Sequence, residues 1–238
     1  MRRGRRINCV AVAVAVAGAS LTVPGRGSSA QDLTKPPTLG PPPSVTLPPI
    51  ITRDLPNGLK LIIVEHHELP VADFILAVRT GGEADPVDRG GLASLTAAML
   101  DEGTTSRNSL QIADQAAYLG VDVGARSGWD VSEVALHTTT AQMDSALDLF
   151  TDVALHPAFP DSELTRLKRE RLTALIQLRD RGPAIADRAF ASIVYGARHP
   201  YGHPLTGTEA SVDAITRADV QRFYETYYRP NNTTLIVV

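Results

Sequence analysis

Cysteine is all but missing from this chain: Cys9 is the only one. It lies in the opening stretch, so the rest of the chain can hold neither a disulfide framework nor a thiolate zinc site, and its stability has to come from packing. Positive charge is scarce too. Of the 23 Lys and Arg residues, Arg2, Arg3, Arg5, Arg6 and Arg26 sit before Gln31, leaving 18 to face 26 Asp and Glu. A net charge near −8 over residues 31–238 argues against nucleic acid as a partner. Long hydrophobic runs are also lacking. A bilayer core takes about 20 apolar residues, and the run from Val10 to Ala19 is too short.

What that short run does resemble is an export signal. A basic head of arginines precedes it, and Ser28-Ser29-Ala30 supplies the small side chains of a cleavage site before Gln31. Residues 1–30 therefore read as a signal peptide, and the mature protein as periplasmic or secreted with no stable membrane span. Residues 31–49 have no aromatic side chain and carry Pro36-Pro37, Pro41-Pro42-Pro43 and Pro48-Pro49. Such a composition favours extended polyproline conformations over a core, and reads as a linker with or without a binding role.

From Ile50 onward the composition is that of a globular domain, within a chain that is 43% apolar and 21% charged. Asn57-Gly58 is a tight-turn pair that predicts a hairpin. Its second arm is Leu59 to Glu65, and Val71 to Thr80 adds a third run, giving three antiparallel strands. A helix follows Gly90-Gly91 and closes at Gly103, and a second, capped by Asn108 or Ser109, extends to Leu119 with Leu110, Ala113, Ala117 and Tyr118 as its apolar face. Val121 to Arg126 and Asp130 to Thr139 form a second hairpin. Two longer helices come next. Gln142 to Leu155 is one, and the other starts at Asp161 as a cap, with Leu164, Leu167, Arg171, Leu175 and Leu178 along one stripe. Ala184 to Tyr195 is helical, Thr216 and Asp219 form a capping box for a helix ending near Tyr228, and Thr233 to Val238 is a final strand that stops without a closing turn. The pattern predicts an α+β two-layer sandwich, helices on one face of an antiparallel or mixed sheet.

With thiolates excluded, histidines are the next candidates for metal ligands. His66 and His67 are adjacent on an extended loop and point to opposite faces, so they cannot easily share an ion. His137, His199 and His203 are open to a relocated site but lie on different elements.

Several motifs in order carry a resemblance. They are Leu55-Pro56-Asn57-Gly58, Thr80-Gly81-Gly82 with Gly90-Gly91-Leu92-Ala93, Gly103-Thr104, His199-Pro200-Tyr201-Gly202 with Gly207-Thr208, and Tyr227-Tyr228-Arg229-Pro230-Asn231-Asn232. Together they resemble the N-terminal domain of the insulinase/pitrilysin, or inverzincin, zinc metallopeptidases, which include the mitochondrial processing peptidase subunits. The resemblance implies the processing-peptidase/LuxS-like metallohydrolase fold and a second repeat beyond Val238. It also implies a His-x-x-Glu-His helix binding zinc and activating water. The matching positions here are Ser94, Ala97 and Ala98, and the third ligand falls near Ala174 to Gln177, with Gln177 the nearest analogue. Alanine offers no lone pair, and serine and a neutral amide are poor zinc ligands beside imidazole. Nor does Ser94 sit in a Gly-x-Ser-x-Gly elbow. Catalytic and metal residues are thus expected to be absent, with zinc confined to a partner subunit of the same family. The chain is expected to be an inactive homologue that pairs with that subunit to enclose peptide substrates. The alternatives are an active zinc metalloendopeptidase and a structural core-type subunit.

Overall fold

The computed structural model describes Gly40 and residues 48–196 and 198–238. Apart from Gly40, these fall in one compact unit, Thr46–Val238. The expected signal peptide and nearly all of the proline-rich linker lie outside the described residues.

Six strands form one mixed sheet in the order β1-β2-β6-β3-β5-β4. They are β1 Ile50–Asp54, β2 Lys60–Val64, β3 Val71–Val78, β4 Asp122–Ser127, β5 Ser132–Thr139 and β6 Thr233–Val237. The Asn57-Gly58 hairpin pairs β1 with β2 as expected, with Gly58 at φ 88°. The third run does not continue the meander. The last strand, β6, inserts between β2 and β3, parallel to the first and antiparallel to the second. A strand flanked on both sides needs no polar edge, which suits the apolar Leu235-Ile236-Val237. β3, β5 and β4 are antiparallel, with Phe74 opposite Leu136 and Asp73 opposite His137.

Period-two alternation divides the sheet into two faces. Ala72, Phe74 and Val78 of β3, with Ser132, Val134, Leu136 and Thr138 of β5, turn to the helices and are buried. Asp73 and His137 fall on the opposite face, and there His137 Nδ1 lies 2.7 Å from Asp73 Oδ1.

Among the described residues, seven α-helices occur. α1 is Leu92–Ala98, α2 Ser109–Leu119, α3 Met143–Leu155, α4 Asp161–Gln177, α5 Gly182–Tyr195, α6 Glu209–Ala214 and α7 Arg217–Tyr227. Asn108 caps α2 in a reciprocal box with Gln111, and Thr216 caps α7 with Asp219, each satisfying two orphan N–H groups. Three expectations need correcting. The buried residue of α2 is Ile112, with Ala116 packed beside it, whereas Leu110 is 67% and Tyr118 90% exposed. Pro160, not Asp161, occupies the cap position of α4, so Asp161 contributes charge at the helix start and no side-chain cap bond. α6 was not foreseen; Thr208 and Ser211 form its capping box.

Three contacts close the core around α1. Leu92, Leu95, Met99 and Leu100 are buried with Leu149, Val153 and Phe223 from α3 and α7. Asp152 of α3 accepts from Thr104 Oγ1 (2.7 Å), Ser106 Oγ (2.7 Å) and Arg107 Nη1 (2.5 Å), tying the segment after α1 to α3. Tyr224 of α7 donates to Ala154 O at 2.8 Å. α5 differs from the rest: it buries no residue, and Phe190, Ile193 and Val194 stand exposed.

Candidate functional site

α1 ends at Ala98, before the close at Gly103 expected from the sequence, and its start is imposed from outside. Gly91, its N-cap, has φ 93°, and a Cβ there would lie 2.8 Å from Thr206 O, so only glycine fits both the conformation and the space. The cap lacks a side-chain acceptor of its own. Asp85 supplies it from six residues upstream, accepting Gly91 N–H and Ala93 N–H on separate oxygens, each at 2.7 Å. An anion here complements the helix dipole. Burial nevertheless pushes the Asp85 carboxyl up to about 6, against the pull of these backbone donors.

On the next turn lie the three positions expected to be degenerate. Ala97 is wholly buried in the core, and Ala98 and Ser94 are half-buried. Ser94 Oγ is engaged both as acceptor and as donor. It accepts Arg171 Nη1 from α4 at 2.7 Å, and donates towards Gly91 O (3.0 Å) or Leu205 O (3.1 Å). Arg171 Nη1 also reaches Gly91 O at 3.2 Å. Burial pulls the Arg171 guanidinium below its usual range, and the charge of Asp85 opposes the shift.

Sequence reasoning placed Arg171 on the apolar stripe of α4 and gave it no role. The signal was there, since a lone arginine among Leu164, Leu167, Leu175 and Leu178 needs a polar partner across the interface. The fourth expected position, Gln177, is the last residue of α4 and is exposed. The histidines stay apart. His137 is on β5, while His199 is in the turn before Pro200–Gly202, where its Nδ1 accepts Tyr201 N–H at 3.2 Å and its ring stacks on Tyr195. His66 and His67 are exposed beside Glu68 and Glu65.

A family model described as Insulinase (Peptidase family M16) matches residues 61–208. The chain belongs to that family.

Among M16 relatives, an uncharacterized zinc protease of Mycobacterium leprae is 27% identical over 187 residues, covering 77% of this chain and 41% of its own. A non-peptidase homolog of Helicobacter pylori is 23% identical over 189 residues, covering 79% of this chain and 44% of its own. Among solved structures, the M16 inactive domain of Pseudomonas fluorescens superposes with a TM-score of 0.76 at 30% identity, covering 79% of this chain and 46% of that one. The periplasmic protease PqqL of Escherichia coli shares the fold, with a TM-score of 0.70 at 23% identity over 79% of this chain and 22% of that one. The chain spans less than half the length of these relatives.

Membership of M16 implies zinc, and the residues present do not fit it. Ala97 and Ala98 have no donor atom, Ser94 Oγ is already shared between a guanidinium and backbone carbonyls, and a cation stands beside it. Among the described residues, no three His, Cys, Asp or Glu side chains gather as a metal site elsewhere. Nor is any described helix long and apolar enough to cross a membrane.

Proposed function

We propose that this M16 domain is a non-catalytic half that pairs with a zinc-bearing M16 subunit and helps enclose peptide substrates. The observation carrying this reading is the Arg171–Ser94 contact, which fills with a fixed cation the ground where family membership would put a metal. A peptidase chamber needs walls that select and orient an extended chain, and walls need no metal. The names of the relatives agree with such a division, since zinc proteases, an inactive domain and a non-peptidase homolog all share this domain. The basic, apolar and small-residue leader supports export to the periplasm or beyond.

The test is reconstitution. The purified chain is expected to carry no stoichiometric zinc and to leave peptides intact, and to increase peptide cleavage when mixed with an M16 subunit bearing His-x-x-Glu-His. One zinc per chain together with cleavage by the chain alone overturns the proposal. A stable complex without cleavage would instead favour the structural-subunit alternative.

A further inference from the structure

Among the described residues, no carboxylate pairs with the charge of Arg171. Its Nη1 contacts two neutral oxygens, Ser94 Oγ and Gly91 O. Other arginines nearby behave differently. Arg166 holds Glu102, Glu163 and Glu170, and Arg179 holds Glu209 at 2.6 Å. Among the described residues Arg171 makes no such ion pair. Asp85 acts on it only from beyond ion-pair distance, because both of its oxygens face the start of α1. A half-buried cation without a counter-ion is destabilising, and an arriving anion would relieve that cost.

The guanidinium also has donors to spare and room beside it. With Nη1 committed to Ser94 and Gly91, the edge formed by Nε and Nη2 has no protein partner among the described residues, and neither nitrogen is sealed from solvent. A guanidinium edge is the geometry that takes a carboxylate on two parallel N–H···O bonds. Arg171 lines a groove of about 320 Å³ with apolar walls from Leu167, Ala174, Leu175 and Leu178 and the hydroxyl-bearing Thr206. Glu170 is on the rim, where its carboxylate is held by Arg166 Nη1 at 3.0 Å. The groove has space for about one apolar side chain next to the charged edge.

We propose that Arg171 anchors a binding site for the free C-terminal carboxylate of a peptide whose last side chain is apolar. An internal peptide carbonyl is neutral and would leave the charge unanswered, whereas a terminal carboxylate neutralises it while its side chain covers the leucines. The site rests on the peptide-enclosing role proposed above. Its ligand is what peptide-bond hydrolysis at a partner's zinc supplies, since each cleavage creates a new C-terminal carboxylate. A zinc ion both holds oxygen and generates hydroxide. A guanidinium can do the first and not the second, so the degenerate site would retain the holding function alone.

Titration calorimetry on the purified full chain tests this with acetyl-Ala-Leu as free acid, acetyl-Ala-Leu-amide, and acetyl-Ala-Glu-amide, which carries only a side-chain carboxylate. The free acid is expected to bind at least about tenfold tighter than either amide. Arg171→Gln should abolish the preference, and Ala174→Phe, at an exposed wall position, should weaken the free acid by filling the groove. Equal binding of the three peptides by the wild type overturns the proposal. So does a preference retained in folded Arg171→Gln or, if that variant does not fold, an undiminished affinity of Ala174→Phe for the free acid. Tighter binding of acetyl-Ala-Glu-amide overturns the terminal-carboxylate assignment. Should these fail while the mixture with a zinc-bearing subunit still cleaves peptides, only the Arg171 site falls. Zinc and activity in the lone chain would remove the pairing role whatever the peptides do.

Discussion

Replacing Asp85 by asparagine should change how stability depends on pH more than stability itself. The Asp85 carboxyl lies at about 6 in the folded protein, far above its ordinary value of 3.8, and burial is the dominant cause. A displacement of that size corresponds to about 3 kcal/mol favouring the protonated form in the fold. For a carboxyl raised in the folded state, the native protein binds the extra proton between the two values. Stability from this group is therefore complete below the unfolded value and is lost as pH rises through about 6. Asparagine removes the buried charge but keeps only one acceptor for the two N–H groups of Gly91 and Ala93, leaving one unsatisfied at about 1–3 kcal/mol. Near pH 7.5 these effects nearly cancel. At pH 4.5, between the two values, about two thirds of the charge penalty is gone while the lost acceptor remains, and the variant should be the weaker by about 2 kcal/mol. Denaturant unfolding of both proteins from pH 4.5 to 7.5 gives the comparison, and taking their difference removes the titration of all other carboxyls. Parallel curves across that range would refute the reasoning, because they would mean that Asp85 titrates alike in the folded and unfolded chains.

Asp152 should show the opposite sign. Burial alone would raise its carboxyl, but donors from Thr104, Ser106 and Arg107 outweigh burial and hold it below the usual range. Its contribution is present at neutral pH and lost as pH falls through the acid range. Asp152→Ala, at a residue only 8% exposed, should cost about 2 kcal/mol at pH 7 by removing the acceptor shared by Thr104, Ser106 and Arg107, which keeps only Asp148 as its carboxylate partner, measured as a shift in the denaturant midpoint. Gly207→Ala combines a φ of +77° with a Cβ only 2.1 Å from Gly90 O, and should lose at least about 3 kcal/mol. Gly120→Ala has a φ of +65° with open space around it and should lose about 1 kcal/mol in the same assay. Equal losses at the two positions would show that the close approach of residues 90 and 207 is not rigid.

The parts of this fold legible in the sequence are those fixed within a few residues. The Asn57-Gly58 hairpin, the Asn108 and Thr216 caps and the alternation of β5 depend on turn chemistry, reciprocal hydrogen bonds and pleat, all local. The insertion of β6 between β2 and β3 depends on which distant edges remain open once the helices are in place, and no local pattern states it. α2 failed for a different reason. Its sequence carries two apolar stripes, Leu110–Ala113–Ala117 and Ile112–Ala116, and only the packing of the neighbouring strand and helix decides between them. α6, six residues long, is too short for periodicity to reveal.

The site divides along the same line. That Ser94, Ala97 and Ala98 lack zinc donors follows from side-chain chemistry at known motif positions and could be read directly. The cation beside Ser94 could not, because Arg171 lies 77 residues away and meets the serine only once α4 is brought next to α1. Each observation sharpens the other. An arginine on an apolar stripe would ordinarily extend its charged end into water, yet this one turns inward, to a serine at a former ligand position. Small side chains at 94, 97 and 98 lack the bulk that two imidazoles and a glutamate would have presented, and so leave space for the guanidinium beside α1. Restoring histidines at 94 and 98 without removing Arg171 would put imidazole and guanidinium into the same space, and a metal would have to displace a fixed positive charge before it could bind.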